Sequence, residues 1–214
     1  MKMPLYHDLG TGKEGTTEFF FLNLLFKARI DTGNETSKDF VPELEGIVEN
    51  DRKFEEDVNV YIADALNSVM NPAAIELRKR LSVSLHQDVG VGISKSTPRS
   101  VKYLFYKINA DGLLLILGLF KPENIPFEAY LDKGTTYYAA AAGYRQEIDG
   151  GESPIAFTLE KMAVGFPKYV GLLRFMNNKY SELFGLGLKL SGEQIKDIER
   201  NMNAGYAVNS SLPH

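Results

Sequence analysis

Apolar residues recur along most of this chain at intervals of three and four, the spacing of one face of an α-helix. Phe19, Leu22, Phe26 and Ile30 set the first stripe, widened by Phe20, Leu24 and Leu25 behind a cap at Thr16 or Thr17. This pattern predicts a helix to about Arg29, ended by the polar cluster "DTGNETSKD" with Gly33 and Asn34. Phe40, Leu44, Ile47 and Val48 predict a short second helix with Pro42 in its first turn. Phe54, Val58, Tyr61, Ile62, Ala65, Leu66 and Val69 mark the clearest amphipathic helix of the chain. Asn71-Pro72 then reads as the cap and first residue of another, carrying Ile75, Leu81 and Leu85 as far as "DVGVGISKSTP".

The segment "VKYLFYKINADGLLLILGLF" supports two readings. Asp111-Gly112 between apolar runs is a hairpin signal, which makes an α+β fold with one hairpin at 101–120 the alternative. Thr97-Pro98 and the spacing of Val101, Leu104, Phe105 and Ile108 point instead to a helix, followed by a second apolar helix from about Asp111. Pro122 and Pro126 interrupt, residues 127 to 148 resume, and "IDGGESP" turns the chain. Ser153-Pro154 starts a long apolar run to about Phe184, where Gly165-Phe166-Pro167 predicts a kink or two helices. Ser191 to Gln194 has the form of a capping box for a last helix, and the tail 205–214 reads as loose. The expectation is an all-α, single irregular domain over 1–214 of seven to nine helices, with a possible internal boundary near 88–98.

Composition supports that picture: over 214 residues, 44% hydrophobic and 24% charged content is that of a soluble globular protein able to bury one core. No apolar run approaches the roughly 20 residues of a membrane span, and the N-terminus lacks the apolar stretch of a secretory signal. The absence of cysteine removes disulfides and thiolate chemistry and fits a reducing compartment, so a cytoplasmic location is expected.

Candidate chemistry is sparse. Gly10, Gly12 and Gly15 have the G-x-G-x-x-G spacing of a dinucleotide loop, with Lys13 beside them and Asp31 near the distance of a ribose-binding acid. Neither flanking segment reads as a buried strand, and Glu14 stands where a P-loop needs a hydroxyl. The loop is therefore read as a lead-in and helix cap, with a weak anion site and a nucleotide- or phosphate-binding enzyme kept as the alternative. His7, His86 and His214 form no i, i+4 pair, so no metal site and no cofactor are predicted. Ser84 near His86 lacks the other parts of a triad.

Charge is uneven within a net of −4. Residues 35–64 carry ten acids against three bases, whereas 74–107 carry seven bases against two acids. Arg78, Lys79, Arg80, Arg99 and Lys102 form a basic patch candidate for nucleic acid or an acidic partner; the competing reading is solvated helix faces.

The most distinctive stretch is "YLDKGTTYYAAAAGYR". Small residues let another helix approach closely, and tyrosine offers large contact area with a polar tip. Tyr130, Gly134, Tyr137, Tyr138 and Tyr144 are therefore the candidate contact surface or pocket, against tight packing within the chain itself. Residues 113 to 144, "LLLILGLFKPENIPFEAYLDKGTTYYAAAAGY", resemble a segment of uncharacterised bacterial helical proteins: an apolar helix ending near aromatics and proline, then a tyrosine, a glycine and an aromatic-alanine helix. Lys121 between Phe120 and Pro122, and Leu119 in an aromatic position, depart from that pattern. The resemblance implies a bacterial, helical, soluble protein and no activity. The leading expectation is a non-enzymatic binding or assembly protein, with a protein partner or self-association and no membrane.

Overall fold

A computed structural model describes residues 17–34, 55–85, 87–120 and 126–181. These hold seven α-helices and one short 3₁₀ turn, and no strand. In chain order they are α1 (Thr17–Asn34), α2 (Glu56–Ser68), α3 (Pro72–Leu81), the 3₁₀ turn Val89–Gly92, α4 (Arg99–Leu119), α5 (Phe127–Asp149), α6 (Pro154–Val164) and α7 (Phe166–Lys179). The fold is all-α. The expected helix at 40–48, the capping box at 191–194 and the tail lie outside the described residues.

Local chemistry explains most of the helix ends. The Asn71 side chain accepts from the Ala73 and Ala74 amides, with Pro72 in the first turn of α3. Ser153 caps α6 through the Ala156 amide, and Pro154 follows it. Gly150 stops α5 in the left-handed conformation, φ 73°, which a side chain would disfavour. Gly165 separates α6 from α7 where a proline at 167 cannot continue the ladder, so the predicted interruption is a true break.

Three boundaries differ from expectation, each through tertiary contact. Helix α1 runs on to Asn34 because its last turn is held from α7: Asp31 accepts from the Tyr180 hydroxyl and pairs with Lys179 at 3.5 Å. Helix α3 ends at Leu81 rather than near Leu85. There the Asn109 amide donates to the Leu81 carbonyl at 2.9 Å, while its oxygen accepts from the Val83 amide at 2.8 Å, so a side chain replaces the helical ladder. Helix α4 is continuous through Asp111-Gly112, with neither a hairpin nor a new start, because the Asp111 carboxylate is engaged inside the bundle and is not free to close a turn.

Helices α4 and α5 share the most extensive interface, α6 covers α5, and α7 packs on α4, while α1 joins through α2 and α7. One core cluster draws on each of these helices, including Leu25, Ile62, Leu114, Tyr138, Leu159, Phe166 and Leu173. Helix α3 buries no residue and leans on α4 alone among its closer neighbours.

Candidate functional site

The tyrosine and small-residue stripe of α5 points inward. Tyr130, Gly134, Tyr137 and Tyr138 are buried, and Tyr144 is half-buried. Their surface is therefore already covered by this chain's own helices, the competing internal-packing arrangement. Gly134 is small because the Phe166 ring lies against it: a Cβ there would sit 2.1 Å from Cε1 of Phe166. Tyr106 meets Tyr137 edge-on at 5.6 Å and stacks on Tyr144 at 5.8 Å, so the outer end of the stripe is closed by α4.

Two of these phenols serve a buried charge. Asp111 is 4% exposed, and its carboxylate accepts from Tyr61 at 2.6 Å, Tyr138 at 2.8 Å and Lys107 at 2.8 Å. Burial alone pushes the Asp111 carboxyl up, but the Lys107 ammonium and the phenolic donors outweigh it and hold the group below its ordinary value. Burial and the same carboxylate push both phenols well above theirs. The cluster is an ion pair with its lone pairs satisfied, tying α2, α4 and α5 together. Tyr137 does different work, accepting the Val89 amide at 2.9 Å, which pins the 3₁₀ turn to α5. Beside it a cavity of about 40 Å³ is lined by Asn109, Gly112, Lys133 and Tyr137, room for water and little more. Lys133 donates to the Leu85 carbonyl at 2.8 Å and to that of Gln87, both of which also line the cavity.

A second buried charge cluster joins α1, α2 and α7. Arg29, 1% exposed, donates to Glu55 and, at 2.7 Å, to Asn59. Glu55 also accepts from Lys168 at 2.8 Å and Tyr169 at 2.9 Å. Burial disfavours the Glu55 carboxylate, yet Arg29 and Lys168 overcome this and keep it below its ordinary value. Arg29 Nη2 is buried with no hydrogen-bond partner among the described residues, and the guanidinium lies 5.9 Å from the Tyr169 ring centre.

Glu55, Lys168 and Tyr169 of this cluster also line an open groove of about 580 Å³. One wall is α6, through Phe157, Glu160, Lys161 and Val164; the other is the start of α7, with Pro167, Lys168 and Tyr169. Lys161 bonds Asp57 at 2.9 Å and Glu160 accepts from Gln146 at 2.6 Å. Phe157 is 44% exposed and Val164 88% exposed, two apolar side chains two helical turns apart that both open to solvent along the groove. In the sequence Phe157 stands only as one apolar position of the run that starts at Ser153-Pro154, which leaves this face unmarked. The available signal was the i, i+7 spacing of Phe157 and Val164 around the adjacent charges Glu160 and Lys161.

The basic candidates are dispersed among different partners. Arg78 folds inward on Ser68 and the Ala65 carbonyl, Arg80 pairs with Glu76 at 3.2 Å and Arg99 with Glu147 at 2.7 Å. Lys102 donates to the Lys95 carbonyl and lies 5.7 Å from the Tyr144 ring centre, while Lys79 is exposed. Gly10, Gly12, Lys13 and Gly15, with His7, His86 and His214, lie outside the described residues. Among the described residues, no group of three or more metal-ligating side chains is placed to hold an ion, and no helix is long and apolar enough to cross a membrane. Compared with protein-family models, with curated proteins and with solved structures, the chain matches none, so the reading of its site rests on these residues alone.

Proposed function

We propose that this protein acts by binding another protein, without catalysis, through the outward face of α6 and the groove between α6 and α7, and that it does so in the cytoplasm. The observation that carries this reading is the exposure of Val164 and Phe157 at the rim of the 580 Å³ groove. Exposed apolar side chains on one helix face with charged residues between them are a pattern found at contact surfaces. The α5 tyrosines, which the sequence offered for that role, are largely spent on the chain's own interior. The buried carboxylates Asp111 and Glu55 are each closed by partners from neighbouring helices, an arrangement that serves architecture. The missing cysteine suits a reducing compartment.

A photo-crosslinking amino acid placed at Val164, with Lys79 on α3 as the control position, tests the reading in cells that make the protein. A protein adduct formed from position 164, absent from position 79 and lost when Phe157→Glu is added, is expected. No adduct from position 164 overturns the reading.

A further inference from the structure

The small cavity beside Tyr137 carries hydrogen-bonding capacity that the fold does not use. It lies between α4, α5 and residues 82–87, and its lining includes Lys133 and Tyr137, one turn apart on α5. The Tyr137 side chain is 2% exposed, and its hydroxyl accepts from the Val89 amide. The hydroxyl's own proton meets no acceptor among the described residues. Lys133 directs two of its three N–H groups to the Leu85 and Gln87 carbonyls, and no carboxylate among the described residues pairs with it. Burial pushes the Lys133 ammonium below its ordinary value; the charge of Asp88, which is engaged by the Gly90 amide and does not line the cavity, acts weakly the other way. Asn109 is saturated, with its oxygen on the Val83 amide and its nitrogen on the Leu81 and Phe105 carbonyls. Ile108, Leu113 and Ile116 make part of the wall apolar. Gly112 lines it too, and a Cβ there would meet nothing within 4 Å, so this glycine leaves the space open.

We infer that this cavity is a binding site for a small monocarboxylate with a short alkyl tail, of the size of acetate or propionate, held by Lys133 and the Tyr137 hydroxyl with its tail against Ile108, Leu113 and Ile116. A carboxylate brings at once the counter-charge that Lys133 lacks and the acceptor that the Tyr137 proton lacks. The volume of about 40 Å³ holds about three waters, and an anion of about four or five heavy atoms takes their place. That room is too small for the carboxylate end of a peptide, which brings a backbone amide and a side chain with it, so the ligand is the free acid. The apolar part of the wall favours an alkyl acid over chloride or phosphate. The site shares no residue with the groove between α6 and α7, so it stands or falls apart from the reading of that groove.

The test is an amide NMR titration of the purified full chain with sodium propionate, beside sodium chloride and sodium phosphate at matched ionic strength and constant neutral pH. Saturable shifts centred on the Leu85, Val89 and Gly112 amides are expected with propionate, with a dissociation constant of about 1 mM or tighter, and none with the two inorganic salts. Lys133→Met keeps the aliphatic stem, removes the charge and weakens binding about ten-fold or more. Gly112→Ala places a methyl in the open space without a clash and weakens binding by a similar factor, which keeps the test readable where Lys133→Met loosens the neighbouring loop. No saturable shift up to about 50 mM propionate, equal shifts with chloride or phosphate, or a Gly112→Ala protein that binds as the unaltered chain does overturns the inference.

Discussion

The Tyr138 hydroxyl on α5 donates to the Asp111 carboxylate on α4 at 2.8 Å, and both residues are buried. With Tyr61 and Lys107 this joins α2, α4 and α5 through a shared charge. Removing one partner of a buried ion pair leaves the other charge uncompensated, a loss of about 3 to 5 kcal/mol. Asp111→Asn therefore lowers unfolding free energy by that order in urea titration. Tyr138→Phe and Tyr61→Phe each cost about 1 to 3 kcal/mol, and either combined with Asp111→Asn costs less than the sum.

The same cluster sets a pH window. Asp111 is depressed in the folded state, so its contribution is present above the ordinary carboxylate value of 3.8 and is lost as pH falls through the lower folded value. Lys107, Tyr61 and Tyr138 are raised, so theirs is present below the ordinary values of 10.5 and 10.0 and is lost as pH rises beyond them. Thermal melts are expected to show a plateau between these limits. Asp111→Asn removes this group's share of the acid-side decline, and an unaltered acid limb in that variant contradicts the assignment.

Glycines 134 and 143, both in α5, predict opposite outcomes for one substitution. Gly134→Ala drives a methyl into the Phe166 ring and costs about 1 to 3 kcal/mol or more. Gly143→Ala meets nothing within 4 Å and gains about 0.5 to 1 kcal/mol from helix propensity. Paired melting curves read both signs.

Tyr137 holds the 3₁₀ turn by a single bond to the Val89 amide. Tyr137→Phe leaves that buried donor unmet, costing about 1 to 3 kcal/mol, and hydrogen exchange at the Val89 amide accelerates while exchange in the centre of α4 stays slow. Equal acceleration at both would mean global destabilisation instead.

Much of this architecture is legible in the sequence, because it is written in local chemistry. Asn71-Pro72, Ser153-Pro154 and Gly165-Phe166-Pro167 act on their own backbone neighbours, and each marks a boundary where expected. Asp111-Gly112 misleads because its turn signal is overridden by Tyr61 and Tyr138, partners 50 and 27 residues away. The extension of α1 depends in the same way on Tyr180. For the α5 tyrosines, periodicity shows that they share a face but not whether that face turns toward a neighbour in the same chain. The α6 face is not legible in the sequence because Phe157 and Val164 fit a core stripe as readily as a contact stripe; what separates the two is which side of the helix α5 covers.

The central claim concerns the face carrying Phe157, Glu160, Lys161 and Val164, and site-specific photo-crosslinking at Val164 in cells tests it most directly. A protein adduct at position 164 is expected, abolished by Phe157→Glu and missing at Lys79. A position 164 that crosslinks to no protein would contradict it.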